Sequence, residues 1–189
     1  MSKRVIRLRE NITVLRQLLA GNEVSYSGDY YELEKAIVRP GVGHIDAIPL
    51  YMGGGTPGVL RRAAELSDGW INGPFDSPSE FRESWAIVLE HAHDFGRDPL
   101  SLEGSKLVFV AANQDRSRAR SSLKSFVDGY FGPSFDVDKH GITGTPSEVA
   151  DRLCEFADAG VTLFMMGVPD LDIQHLGTLA HQVIPRLKG

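Results

Sequence analysis

The 189-residue sequence contains one cysteine, Cys154, so no disulfide can form within the chain. Such sparse cysteine use is typical of proteins from a reducing compartment. No apolar run reaches the roughly 20 residues of a membrane span, and the opening MSKRVIRLRE lacks the apolar core and cleavage site of a signal peptide. These absences predict a cytoplasmic protein with no membrane partner. Cys154 lies at an apolar position of a helical pattern, which predicts a buried, unreactive thiol.

Motifs of several enzyme classes are also missing. The sequence has no P-loop lysine signature and no Ser-His-Asp arrangement of catalytic spacing. Its net charge is −5, and its basic residues are scattered, which disfavours a nucleic-acid partner. His91 and His93 lie two residues apart on a predicted helix and face different directions. Asp170, Asp172 and His175 follow the last predicted strand, where helix capping is favoured over metal ligation, so no metal site is predicted.

The sequence does contain helical periodicity that alternates with short apolar runs. A helix at 4–20 and a hairpin-like excursion around Ser27-Gly28-Asp29 come first. Strands are then predicted at 48–52, 69–72, 106–112 and 161–166, separated by helices, with a last helix at 172–187. Residues 131–144 are predicted to be irregular, a candidate lid or partner-contacting loop.

This order predicts an α/β fold with a parallel sheet, in a single domain that covers residues 1–189. Four such strands suit a small open sheet. They equally suit one half of a (β/α)8 barrel, which takes about 250 residues. The alternation alone leaves both architectures open.

The most informative stretch is PLYMGGGTPGVLRRAAELSDGWIN, residues 49–72. It predicts a β-α-β unit in which a strand enters a helix through a triple glycine. Glycines allow close backbone approach, and the N–H groups and dipole of a helix N-terminus favour an anion. Thr56 and Pro57 are also good residues for a helix start. From these residues alone, an anion site and a simple capped turn remain equally open.

Several segments resemble the carboxyl-terminal part of the bacterial luciferase-like superfamily. They are RENITVLRQLLAG with VSYSGDYYEL, IPLYMGGGTPGVLRRAAELSDGWI, SPSEF, the GRDP turn, GTPSEVADRLCEFADAGVTLF and HQVIPRLKG. They follow the order and approximate spacing of that superfamily over essentially the whole chain. The resemblance implies a TIM-type barrel, here an incomplete one that covers about the last four β/α units. The chain would begin at the helix after the fourth barrel strand.

The resemblance also implies the cofactor and its site. Members use FMN or coenzyme F420, and the loop equivalent to Gly54, Gly55 and Thr56 holds the cofactor phosphate. The same site would include Gly58 and Val59 in the first helical turn, and Asn72 at the end of the next strand. The resemblance identifies no catalytic residue in this part of the barrel.

Two functional hypotheses follow from the resemblance. The first is a flavin- or F420-dependent oxidoreductase of the luciferase-like class, or the carboxyl-terminal part of one, acting on a small-molecule substrate. The second is a non-catalytic truncated barrel that binds flavin weakly or not at all and self-associates. Open sheet edges favour such association, as a homodimer or larger assembly, in either case. A sugar-phosphate enzyme of TIM type is a third, less favoured, hypothesis.

Overall fold

A computed structural model describes residues 3–39, 48–169 and 173–187. These residues form two compact units, Met1–Leu50 and Tyr51–Gly189. None of the helices in the described ranges has the length and apolar character of a membrane span.

The first unit is a helix with a β-hairpin. Helix α1 (Lys3–Leu19) is followed by the antiparallel strands β1 (Val24–Ser27) and β2 (Glu32–Ala36). The carboxylate of Glu10, on α1, accepts hydrogen bonds from the backbone N–H groups of Asp29 and Tyr30 at 2.9 Å and of Tyr31 at 3.3 Å. The helix thereby fixes the hairpin turn, and the predicted hairpin-like excursion is confirmed.

The second unit alternates strands and helices. Its elements are β3 (Tyr51–Gly53), α2 (Pro57–Leu66), β4 (Gly69–Asn72), α3 (Pro78–Asp94), β5 (Glu103–Ala112), α4 (Arg116–Phe131), α5 (Val137–His140), β6 (Gly141–Gly144), α6 (Pro146–Asp158), β7 (Leu163–Gly167) and α7 (Ile173–Thr178). A π turn to Val183 and a 3-10 turn at Ile184–Arg186 continue α7. The predicted α/β class is therefore confirmed.

All five strands of the second unit are parallel, and β5 lies at the centre of the sheet. It pairs with β4 near its start, with β7 over Ser105–Phe109 and with β6 near its end. Strand β3 pairs with β4. Among the described residues, β3, β6 and β7 each pair with one strand only, so the sheet does not close into a complete barrel.

A tyrosine bridges three strands at the start of the sheet. Tyr51, Gly69 and Glu103 lie side by side in the strand register. The Tyr51 hydroxyl donates a hydrogen bond to the Glu103 carboxylate across Gly69. That hydrogen bond, together with burial, raises the pKa of Tyr51 to about 12. A Cβ on Gly69 would lie 2.5 Å from the Tyr51 ring, so the bridge requires glycine there.

The sheet buries apolar side chains on both faces, as the run KLVFVAA predicts. Side chains alternate between faces along a strand. Val108 and Val110 belong to a core with residues from α2, α3 and α6, and Trp70 at its centre lies 5.3 Å from the ring of Phe81. Phe109 lies on the other face, in a second cluster with α4. The helices thus cover both faces of the sheet, and the carboxyl ends of its strands remain available to form binding sites.

Three sequence-based boundaries require correction. The first strand of the sheet begins at Tyr51, whereas residues 48–50 lie outside any strand. Residues 131–144 are not irregular, because they contain α5 and β6 and bury Phe135 and Val137. The last helix is α-helical only to Thr178, and Leu176 and Ile184 are partly exposed although the pattern predicts them buried.

Candidate anion-binding site at the glycine turn

The turn between β3 and α2 is held open by Gly54. Its φ of +117° lies in the region that L side chains rarely adopt, so glycine is required. The Gly54 N–H donates to the carbonyl of Ile71 at 3.4 Å, and the Gly54 carbonyl accepts from Trp70 Nε1 at 2.8 Å. Both partners belong to β4. The neighbouring strand therefore fixes the conformation of the turn.

Thr56 occupies the N-cap of α2 but makes no side-chain cap hydrogen bond. The two other helices that begin with Ser/Thr-Pro behave differently. Ser77 and Thr145 each form a capping box with a glutamate three residues later. Helix α2 has Val59 at that position, and valine supplies no acceptor. The hydroxyl of Thr56 is therefore open to a ligand in a way that the N-cap hydroxyls of the other two helices are not, whereas the Val59 N–H donates to the Thr56 carbonyl at 2.8 Å.

The space around the turn suits a bound anion. Gly54, Gly55, Thr56 and Gly58 are all exposed. A Cβ on Gly55 would have no heavy atom within 4 Å, so this glycine borders open space. The guanidinium of Arg62 reaches back over the first turn, where its Nη1 lies 3.2 Å from the Cβ position of Gly58. This positive charge adds to the helix dipole and favours a negative group at the same place.

Arg62 is a site residue that the sequence-based prediction does not include. It lies four residues after Gly58, and side chains at that spacing share a helix face. Because Gly58 has no side chain, the Arg62 side chain can cover the first turn directly. The spacing of Gly58 and Arg62 that predicts this arrangement is visible in the sequence GGGTPGVLRR.

Asn72 ends β4 and is only 2% exposed. Its Nδ2 donates to Asp76 Oδ2 at 2.7 Å, and its Oδ1 accepts from the Lys106 ammonium at 2.6 Å. Both polar groups of the amide are thus bonded within the chain. Contact of Asn72 with a ligand stays a prediction, since such a contact would compete with these bonds.

Lys106 is a second site residue that the sequence-based prediction does not include. It is 1% exposed, it donates a second hydrogen bond to the carbonyl of Gly73 at 2.7 Å, and its ammonium lies 4.9 Å from the centre of the Phe156 ring. Burial lowers the pKa of Lys106 to about 8, while the carboxylates of Asp76 and Glu80 act in the opposite direction. A charged anchor therefore holds the start of the loop after β4.

The remaining candidates are dispersed. Lys139 and His140 line a cavity of about 250 Å³ beside Lys106, and the His140 ring lies 5.2 Å from that of Phe75. Within the described ranges, no group of three His, Cys, Asp or Glu residues could hold a metal ion. Cys154 is partly rather than fully buried.

The remaining predicted metal candidates follow β7. Asp170 and Asp172 lie outside the described residues. His175 Nε2 accepts from the backbone N–H of Ala112 at 3.3 Å. That hydrogen bond uses one of the two ring nitrogens of His175.

Comparison with known proteins identifies the family to which this chain belongs. Residues 1–134 match the family model described as luciferase-like monooxygenase. The chain belongs to this family. The matched range includes the glycine turn, Asn72 and Lys106, and it ends before β6.

Relatives of this luciferase-like chain share most of its length. It is 32% identical to the F420-dependent glucose-6-phosphate dehydrogenase of Microbacterium testaceum (strain StLB037), over 98% of this chain and 62% of that relative. An F420-dependent secondary alcohol dehydrogenase in complex with an F420-acetone adduct has a TM-score of 0.80 at 21% identity, covering 96% of this chain and 61% of that one. The oxygenating constituent of 3,6-diketocamphane monooxygenase from Pseudomonas putida, in complex with FMN, has a TM-score of 0.69 at 14% identity, covering 95% and 62%.

These comparisons confirm the predicted family and fold. The chain has the fold of luciferase-like TIM-barrel enzymes, and its sheet is open in the described residues. It spans little more than three fifths of the length of each of these three relatives.

Proposed function

We propose that the glycine turn of this chain binds the phosphate of FMN or coenzyme F420, as part of a luciferase-like oxidoreductase that acts on a small-molecule substrate. The observation that carries the proposal is the uncapped start of α2. There, Thr56 is exposed and makes no cap hydrogen bond, Gly55 borders open space, and the Arg62 guanidinium lies over Gly58 in the same first turn. When bound, such a cofactor supplies hydride transfer or, as reduced flavin with oxygen, oxygen insertion.

Each residue of the turn has a distinct part in this proposal. Gly54 sets the backbone conformation, and Gly55 leaves room for the phosphate oxygens. Thr56 donates its hydroxyl, and the N–H group of Gly58 lies in the first helical turn, which points its positive end at the phosphate. The Val59 N–H already donates to the Thr56 carbonyl at 2.8 Å, so Val59 contributes its side chain, which lies 3.3 Å from the Cβ position of Gly54. Arg62, although absent from the predicted set, adds formal charge.

The proposed site matches the cofactors of the relatives. The dehydrogenase from Microbacterium testaceum is F420-dependent, and the monooxygenase from Pseudomonas putida contains FMN. Both cofactors carry a phosphate, so the same turn suits either of them. For Asn72 we propose a position at the edge of the cofactor pocket, where Lys106 and Asp76 hold its amide in place.

The phosphate contact is tested by comparing FMN with riboflavin, which lacks the phosphate. The 189-residue chain is titrated with each flavin, and binding is followed by flavin fluorescence. We expect FMN to bind at least about tenfold more tightly than riboflavin, since hydrogen bonds to charged groups contribute roughly 1.5–3 kcal/mol each. Coenzyme F420 is titrated in the same way, and its affinity relative to FMN identifies the preferred cofactor.

Two variants locate the contact. Gly55→Asp places a carboxylate in the open space of the turn and should remove the preference for FMN over riboflavin. Gly129→Asp is the matched control, because a Cβ on Gly129 also meets open space but lies in α4. The control should keep the preference. Equal affinity for the two flavins in the wild-type chain, or an unchanged preference in Gly55→Asp, would contradict the phosphate assignment.

A second candidate function is a non-catalytic partial barrel that acts through self-association. The observation that favours it is the open sheet, in which β3 and β7 each have one paired edge among the described residues. On β7, Leu163 and Met165 are also 39% and 45% exposed. Absence of FMN and F420 binding at high micromolar concentration, combined with stable oligomers, would favour this candidate over the first.

A further inference from the structure

A cavity of about 490 Å³ lies at the carboxyl end of β5, away from the glycine turn. Its walls come from Ala112 and Asn113 after β5, from Arg118 on α4, and from Gln174 and His175 on α7. Its volume falls within the range of about 300–1,000 Å³ that small-molecule sites occupy. In parallel α/β sheets, ligands bind beyond the carboxyl ends of the strands, which is where this cavity lies.

The charge of this cavity comes from one arginine. Among the described residues that line it, Arg118 is the one with a permanent charge. Two other arginines of α4 have carboxylate partners, Arg116 with Glu148 at 2.5 Å and Arg120 with Asp138 at 2.6 Å. No ion pair or hydrogen bond of the Arg118 guanidinium occurs within the described part of the chain. Of these three arginines, Arg118 lines the cavity and has a guanidinium that is available to bind a ligand.

Neutral hydrogen-bonding groups make up most of the remaining polar lining. The side-chain amides of Gln114, Gln174 and Gln182 border the cavity, and within the described ranges they have no hydrogen-bond partner. The backbone N–H of Ala112 donates a hydrogen bond to Nε2 of His175 at 3.3 Å. The described lining of the cavity therefore offers one permanent cation, Arg118, and several uncharged donors and acceptors.

We propose that this cavity binds a small carboxylate that also carries hydroxyl groups. Arg118 would hold the carboxylate, because a guanidinium presents paired donors that match the planar carboxylate oxygens. The glutamine amides, each with two donors and one acceptor oxygen, would bind the hydroxyl groups. A phosphate dianion fits less well, since Arg118 is the single permanent cation among the described lining residues.

The site is tested with D-gluconate, a polyhydroxylated carboxylate, in calorimetric titration of the 189-residue chain at low salt. D-glucose serves as the neutral analogue and inorganic phosphate as the alternative anion. We expect gluconate to bind with a dissociation constant in the millimolar range and glucose not to bind measurably. Phosphate bound more tightly than gluconate, or glucose bound as well as gluconate, would overturn the assignment.

Two arginine variants separate a specific contact from general charge. Arg118→Gln should weaken gluconate binding about tenfold, which corresponds to about 1.4 kcal/mol. Arg120→Gln removes the same charge from the same helix but not from the cavity, and it should change the affinity less than twofold. Circular dichroism checks that both variants fold. Equal weakening in the two variants would overturn the proposal.

The position of the ligand is checked by NMR. On addition of gluconate, the backbone amide of Ala112 and the side-chain amides of Gln174 and Gln182 should shift in ¹H–¹⁵N spectra, whereas the amides of Gly54 and Gly55 should not. Binding that shifts the glycine-turn amides instead would place gluconate in the other site and overturn the proposal. Because none of these measurements uses a flavin, failure of the cofactor proposal leaves this test intact.

Discussion

Single residues decide which helix start is open to a ligand. Thr56, Ser77 and Thr145 each precede a proline that begins a helix. At Ser77 and Thr145, a glutamate three residues later forms a capping box with the N-cap residue. At Thr56 the equivalent residue is Val59, which cannot complete a capping box. That difference is visible in the sequence, and it supports the anion site over a simple capped turn.

The buried lysine shows what the sequence could not reveal. Lys106 begins an apolar run, and its pattern predicts only a strand. Its partners Asn72 and Gly73 lie more than 30 residues earlier, and the parallel register that places Asn72 beside Lys106 brings them together. Such a contact depends on strand pairing, which periodicity does not encode.

Replacing Asn72 tests this anchor. Asn72→Leu removes the acceptor at 2.6 Å from the Lys106 ammonium, and we expect the free energy of unfolding to fall by about 2 kcal/mol at pH 7. The loss should shrink above pH 8, because the pKa of Lys106 is lowered to about 8 and the lysine becomes neutral there. Urea denaturation at pH 7 and pH 9.5 measures both values.

The control for this prediction is Asn113→Leu. Asn113 follows the end of β5, and its Oδ1 accepts the N–H of Asp115 at 2.9 Å. No lysine is involved in that bond, so the stability loss of Asn113→Leu should be the same at both pH values. An Asn72→Leu loss that is equally independent of pH would show that Lys106 is not charged in the folded state at pH 7.

At the scale of elements, the first turns of α4 and α6 are linked. The Glu148 carboxylate completes the capping box with Thr145 and accepts hydrogen bonds from the Arg116 guanidinium. These bonds, with that from Arg116 the largest contribution, lower the pKa of Glu148 to about 2 from an ordinary value of 4.5. One exposed carboxylate thus ties two helices together.

This link predicts a specific pH dependence. Because the pKa of Glu148 is lower in the folded than in the unfolded protein, its stabilising effect is complete above about pH 4.5. It is lost as the pH falls toward about 2. Glu148→Gln keeps a side chain that can complete the capping box but lacks the charge. We expect this variant to be less stable than the wild type at pH 6, and the difference to decrease toward pH 3 in urea denaturation.

Glu83→Gln provides the comparison for Glu148→Gln. Glu83 is exposed on α3, and its carboxylate has no hydrogen bond or ion pair in the described part of the chain. Its substitution should leave the pH profile of stability close to that of the wild type. A constant difference between Glu148→Gln and the wild type from pH 6 to pH 3 would contradict the role assigned to the Arg116 link.

The sequence predicts some helices and strands better than others. Strand β5 and helices α3 and α6 were predictable because long periodic patterns and capping residues mark them. Strand β6 was missed, since it has four residues and a glycine at each end. It forms because the end of β5 extends beyond β4 and offers unpaired backbone groups to Gly141–Gly144.

At the scale of the whole molecule, the open sheet bears on whether the chain associates with other chains. A barrel has no edges, whereas among the described residues β3, β6 and β7 each pair with one strand only. Outer strands carry unpaired N–H and C=O groups that another strand can join. The predicted self-association rests on this feature, and it stays a prediction.

Substitutions on β7 test self-association. Leu163→Lys and Met165→Lys place charges on an exposed apolar part of an outer strand, and lysine at such a position disfavours pairing with another chain. We expect the wild-type chain to sediment at about 50 µM above its monomer mass of 20.7 kDa, and the double variant to sediment close to that mass. Leu100→Lys is the control, because Leu100 is 94% exposed but lies in a turn between α3 and β5. If the wild-type chain sediments as a monomer, or if Leu100→Lys dissociates it as well as the β7 variant does, pairing through β7 is wrong, and the exposed side of this strand must serve another purpose.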